Sequence, residues 1–164
     1  MKKRILFMMV LIALLCGCQA KEESTTQEET PTTEKTTTTI NTEYFTVEVP
    51  KKWKGAYAYE VYPDSESYAY TINFYEIESR QEMDGGFLFG ISLYDEDEDI
   101  SYLPSYEEIG MLKVEEQTYQ VIVEYPTDVQ FTDDTAKNYN KLCQDVDNII
   151  QSIKAKDGCT LTKQ

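Results

Sequence analysis

The densest run of chemistry-bearing side chains is Asp95-Glu96-Asp97-Glu98-Asp99. Carboxylates at alternate positions can converge on one hard cation, and calcium takes roughly six to eight oxygen ligands. Asp95, Asp97 and Asp99 match the opening of a calcium loop, after which the match breaks. Ile100 stands where the sharp turn needs glycine and Tyr106 where a bidentate carboxylate is needed, with Glu107 one position late. The other reading is a solvated acidic loop. A second set is the thiol pair Cys143 and Cys159, which lack the Cys-x-x-Cys spacing of a redox motif. A third is tyrosine: Tyr57, Tyr59, Tyr62, Tyr68, Tyr70, Tyr75 and Tyr94 crowd a short span. Sheet packing accounts for most of them, but Tyr62, Tyr75 and Tyr94 have the wrong parity for a core and define an exposed aromatic face for a partner. There is no histidine. That removes His-based triads, zinc-protease helices and the imidazole general base, and no spacing marks a catalytic pair of carboxylates. A non-enzymatic chain is expected, with a carboxylate-based cell-wall hydrolase as the remaining catalytic alternative.

Several strands must position these groups. Phe45, Val47 and Val49 alternate with polar residues until Pro50; Tyr57, Tyr59 and Val61 form a second run, and Tyr68, Tyr70, Ile72 and Phe74 a third. After the turn signal Asp84-Gly85-Gly86 comes a fourth, Phe87 to Leu93, and Glu107 to Tyr125 reads as a hairpin turning at residues 115–118. One apolar face per strand predicts an antiparallel sheet covered on one side. The cover is predicted from Ala136, Tyr139, Leu142, Cys143, Val146, Ile149, Ile150 and Ile153, which fall in one stripe of a single long helix between Asp133 and Ala155. The helix rises about ten residues (~15 Å) past Cys143, and six residues can return up to ~20 Å, so a Cys143–Cys159 disulfide is within reach. The fold class is therefore α+β.

The first residues carry a positive cluster, Lys2-Lys3-Arg4, and an apolar run from Ile5 to Leu15. At ~1.5 Å per residue the run covers roughly 16 Å, about half of a ~30 Å hydrocarbon layer, so it reads as a leader rather than a permanent span. Its end, Leu15-Cys16-Gly17-Cys18, resembles the lipobox of bacterial lipoproteins, with Cys16 where Ala or Ser is commoner. The resemblance implies cleavage after Gly17, a diacylglycerol on Cys18 with acyl chains such as palmitate, and a cell-surface address on the extracytoplasmic face of the cell membrane. Removing residues 1–17 leaves 12 basic against 30 acidic side chains, a formal charge of −18. With Arg80 the one remaining arginine, a nucleic-acid partner is excluded on charge. Residues 18–42 comprise the lipidated cysteine and a Thr/Glu-rich stretch without a large apolar residue before Ile40, predicted to be a disordered tether of ~27 Å root-mean-square reach. Export permits a disulfide, although many Gram-positive exported proteins avoid cystines, so a bridge and two free thiols both stand.

Residues 43–156 form one domain by length, followed by a tail at 157–164. Phe45-Thr46-Val47-Glu48-Val49-Pro50-Lys51-Lys52-Trp53, the antiparallel meander, and Tyr125-Pro126-Thr127-Asp128-Val129-Gln130-Phe131 leading into a closing helix resemble the PsbP-like α/β/α sandwich. That fold serves photosystem extrinsic proteins, a Ran-binding import factor and small bacterial surface lipoproteins, so the resemblance implies an architecture and no catalytic residue. The expectation is a membrane-anchored lipoprotein acting as a binding or structural module for an extracytoplasmic protein or wall component, without a cofactor. A calcium-assisted adhesion module is the alternative.

Overall fold

The computed structural model describes residues 36–64 and 68–164; the leader, Cys18 and residues 19–35 of the expected tether lie outside them. Thr37–Asn41 (β1) pairs antiparallel with Phe45–Pro50 (β2). The Thr42 side chain closes their turn, its hydroxyl donating to the Phe45 carbonyl at 2.8 Å and accepting from the Phe45 N–H at 3.0 Å. β2 buries Phe45, Val47 and Val49 and leaves Thr46 and Glu48 half-buried, as its alternation requires. A 3₁₀ turn, Lys51–Trp53, then drops Trp53 into the core at 0 % exposure. The six-stranded sheet follows: Tyr57–Pro63 (β3), Tyr70–Glu76 (β4), Phe87–Asp95 (β5), Tyr106–Val114 (β6), Gln117–Glu124 (β7) and Cys159–Lys163 (β9), in the order β3-β4-β5-β7-β6-β9. All its pairs are antiparallel.

A short helix, Ile77–Met83 (α1), links β4 to β5. Its cap is Glu76, a buried carboxylate that accepts from the N–H groups of Glu78 and Ser79 at 3.1 and 2.7 Å. Such a cap satisfies two donors that would otherwise be stranded at a helix start.

The single long helix is not formed. The chain makes two short ones, Ala136–Cys143 (α2) and Val146–Gln151 (α3), and then Lys154–Ala155 (β8), which joins β2. The stripe itself is correct: Tyr139, Leu142, Val146, Ile149, Ile150 and Ile153 are all buried in the main core. Two contacts made by polar residues break it. Asp145 accepts from Trp53 Nε1 and from Lys52 Nζ, both at 2.9 Å, and its own N–H turns back to the Leu142 carbonyl in a tighter 3₁₀ step. Ser152 donates to the Ile149 carbonyl at 2.6 Å and accepts the Glu48 N–H of β2 at 2.8 Å, so the helix stops and the chain continues as a strand.

Two boundaries also shift. β1 lies inside the stretch expected to be tether, because Ile40 is buried and Thr37 hydrogen-bonds Glu48, so the folded part begins before residue 43. The expected tail at 157–164 is largely β9, paired with β6 from Val114↔Cys159 to Gly110↔Lys163. Among the described residues no helix is long and apolar enough to cross a membrane.

Candidate functional site

Strand alternation gives the six-stranded sheet two faces. Ile72 and Phe74 of β4, Phe89, Ile91 and Leu93 of β5, and Val121 and Val123 of β7 belong to the main core. Their neighbours therefore point to the opposite face. Register aligns them in rows across the sheet: Glu60↔Asn73↔Gly90↔Glu124 in one, Tyr62↔Thr71↔Ser92↔Ile122 in the next.

This second face is polar, yet part of it is buried. Thr71 and Ser92 have 6 % and 0 % exposure, so their hydroxyls need partners. Thr71 donates to Ser92 at 2.8 Å, Ser92 donates to Glu124 Oε1 at 2.7 Å, and the Tyr94 hydroxyl donates to the same oxygen at 3.2 Å. Burial, and then the Glu124 charge, push the Tyr94 phenol well above its ordinary range. Gly90 leaves room for the Asn73 amide: a Cβ there would press on Asn73 Oδ1, and that side chain would have to shift. Ile100 packs with Tyr94 and Ile122, flanked by Tyr68, Leu103 and Tyr106, so the loop after β5 builds a small second core over this part of the sheet.

At the β3 end the face opens. Arg80 Nη2 donates to Glu60 Oε1 at 2.8 Å and its guanidinium lies 3.8 Å from the centre of the Tyr75 ring. The Tyr62 hydroxyl donates to the other Glu60 oxygen. Those hydrogen bonds, from Tyr62 first and Arg80 second, hold the Glu60 carboxyl below the usual carboxylate range. Phe87 adds a ring 5.8 Å from Tyr75. One cation, one anion and three aromatic rings thus share a surface that remains open to solvent, with Tyr62 38 % exposed.

The predicted aromatic face is therefore corrected in part. Tyr62 and Tyr75 are brought together, whereas Tyr94 is 3 % exposed and lies under the loop. Its parity is as read, but parity does not reveal a second covering layer. Arg80 and Glu60 were missed as members; their signal was the one arginine beyond Arg4 lying close in sequence to Tyr75.

Asp95, Asp97 and Asp99 are not brought together as a cation site. Among the described residues no group of three or more His, Cys, Asp or Glu is placed to hold a metal ion. The main-chain oxygens of the loop are instead organised by one amide: Gln120 Nε2 donates to the carbonyls of Asp95, Glu96 and Glu98 at 2.9, 3.4 and 2.9 Å. Asp99 accepts the Ser101 N–H at 3.0 Å, and its hydrogen bonds from Ser101 keep its carboxyl below the ordinary range. Cys143 and Cys159 are free thiols rather than a disulfide. The returning residues are spent on pairing β8 with β2 and on starting β9 opposite Val114. Burial pushes the Cys143 thiol up, against the opposing effect of a hydrogen bond with Tyr139.

Comparison with family models, curated proteins and solved structures finds no match to this chain.

Proposed function

We propose that the chain is a lipoprotein anchored through diacylglycerol on Cys18 to the extracytoplasmic face of the cell membrane. Its folded part, a non-enzymatic binding or structural module of PsbP-like architecture, takes an extracytoplasmic protein or a wall component on the open end of the second sheet face. The lipobox Leu15-Cys16-Gly17-Cys18 supports the address. The strand ended by Pro50, the antiparallel sheet and the helical stripe packed on the core support the architecture.

The observation that carries the binding reading is the Arg80–Glu60–Tyr62–Tyr75 cluster. An exposed ion pair contributes only about 0–1 kcal/mol to stability, so folding gives little reason to assemble it. Arg and Tyr are, by contrast, the residue types that dominate binding energy at protein interfaces. The pre-ordered guanidinium, carboxylate and rings offer donors, acceptors and stacking faces that lose little entropy on contact. The test is capture of isolated wall fragments, and separately of solubilised envelope proteins, on the full mature chain. Arg80→Ala and Tyr62→Ala are expected to lower a reproducible capture together, and capture unchanged by both refutes the site. For the address, Cys18→Ala is expected to abolish labelling by palmitate and release the protein from the membrane; equally firm retention refutes it.

A further inference from the structure

We propose that the turn Lys51-Lys52-Trp53-Lys54, together with Lys141, is a second membrane contact, resting on the anionic headgroups of the bilayer that holds the Cys18 anchor. The inference depends on the lipoprotein reading above and adds which end of the domain meets the membrane and through which residues.

The first ground is where the chain outside the described residues joins the fold. Lys51 N donates to the Thr36 carbonyl at 2.9 Å and Thr37 pairs with Pro50, so residues 18–35 lead into the domain at this turn. A coil of that length has a root-mean-square reach of ~23 Å. An anchor at Cys18 therefore keeps the lysine turn, rather than the far end of the sheet, close to the bilayer.

The second ground is how charge is distributed along the strands. The turn leads into β3 at Tyr57, and register places Tyr57, Glu76 and Phe87 at one end of the sheet, with Pro63, Tyr70, Leu93 and Asp95 at the other. The far end gathers Asp64, the five acids of residues 95–99, and Glu115 and Glu116 of the β6–β7 turn, with Lys113 near them. The near end has acids too, but they are engaged. Asp145 accepts from Lys52 and Trp53, Glu78 from Asn138, Glu82 from Thr132, and Glu48 from Thr37. An anionic surface thus repels the far end and attracts the near one, and screening over ~8 Å at physiological salt lets the nearest charges decide.

The shape of the near end suits a lipid surface. A hollow of about 710 Å³ on one side of the turn is walled by Pro50, Lys51, Lys54, Tyr57 and Tyr59, with no carboxylate. One of about 120 Å³ on the other side is bordered by Lys52, Lys141, Asn138 and Asp145. Tyr59 and Val61 stand 46 % and 44 % exposed next to the larger hollow. Tyrosine settles at headgroup level, and lysine stems lie along apolar surface while their ammonium groups reach phosphate. Each lysine near such a surface strengthens the contact about fivefold. A tether makes contacts of this strength matter, because it fixes a high local concentration of the two surfaces.

The experiment reconstitutes the full mature chain into phosphatidylglycerol or phosphatidylcholine vesicles and reads amine labelling of each lysine by mass spectrometry. On phosphatidylglycerol, labelling of Lys54 and Lys141 is expected to fall about threefold or more, with Lys113 unchanged, and to recover near 1 M salt, where screening shortens to ~3 Å. In Lys51→Glu/Lys54→Glu the protection of Lys141 is expected to vanish while Trp53 emission stays native. A chain that floats with neither vesicle sinks the anchor reading and this one with it. A chain that floats with both, its lysines labelled alike on each, overturns the contact alone. Protection of Lys141 that survives the double reversal overturns the assignment to this turn. Protection by a soluble polyol-phosphate polymer, but not by phosphatidylglycerol, overturns it in favour of a wall polyanion.

Discussion

Replacing Asp145 tests whether one carboxylate ties the helices to the 3₁₀ turn. Asp145 accepts from Trp53 Nε1 and from Lys52 Nζ, both at 2.9 Å, and Trp53 is fully buried. In Asp145→Ala the indole N–H is left without an acceptor in an apolar site, which costs ~1–3 kcal/mol. The Lys52 side chain is 57 % exposed, so loss of that pair adds only about 0–1 kcal/mol. The total is ~1–4 kcal/mol, whereas Asp145→Asn, whose amide oxygen still accepts from the indole, loses ~1 kcal/mol or less. Trp53 is the one tryptophan, so its emission reports on this contact during urea unfolding. With a slope of ~2 kcal/mol/M, a 3 kcal/mol loss moves the midpoint by ~1.5 M. Burial alone would raise the Asp145 carboxyl, but the hydrogen bonds of Lys52 and Trp53 and the charges of Lys52 and Lys141 outweigh it and hold it below the ordinary range. A depressed folded value stabilises fully above the unfolded value of ~3.9 and is lost as pH falls through the folded one. The gap between wild type and Asp145→Ala should therefore narrow below about pH 4, by no more than the ~1 kcal/mol lost in Asp145→Asn, because the protonated carboxyl still offers its carbonyl oxygen to the indole. An alanine variant within ~0.5 kcal/mol of wild type, or an asparagine variant equally damaged, refutes the reasoning.

Gly90→Ala drives a methyl against Asn73 Oδ1, and a loss of ~1–3 kcal/mol in urea unfolding is expected, with Asn73→Ala in the same chain recovering most of it. Gly110 has φ 151° and the Thr162 carbonyl oxygen 2.1 Å from where a Cβ would sit. Gly110→Ala should thus detach β9, read as faster amide exchange at residues 159–163 with β4 and β5 unchanged. Capture on the Glu60 cluster should be flat from pH 7 to 5 and fail only below about pH 4, as a depressed carboxylate accepts its proton; a midpoint near 6 contradicts that assignment.

Much of the sheet was legible because alternation is local: Phe45, Val47 and Val49, or Phe89, Ile91 and Leu93, declare their face within a few residues. The helical stripe was legible for the same reason. Its interruption was not, since it depends on Trp53 and Glu48, each roughly ninety to a hundred residues away from the Asp145 and Ser152 that they bind. The strand Thr37–Asn41 escaped because threonine-rich composition describes a tether and an edge strand equally well, and only pairing with β2 separates them. Tyr62 and Tyr75 could be placed on the second face by parity, but the joining of Arg80 to Glu60 depends on the turn that Glu76 caps, and a buried carboxylate cap leaves no trace in hydropathy.

Among the described residues β1 pairs as a strand with β2 alone, and Ile40 is its one buried hydrophobic side chain. Tension arriving along the backbone from the N-terminal side meets this ladder first and opens it bond by bond from Thr37↔Pro50 onward, rather than shearing the six-stranded sheet. Five residues released at ~3.3 Å each lengthen the molecule by roughly 16 Å while Trp53 and the rest of the interior stay sealed. A pull from that side would therefore be taken up first by β1, whose antiparallel pairing with β2 can re-form once the pull relaxes.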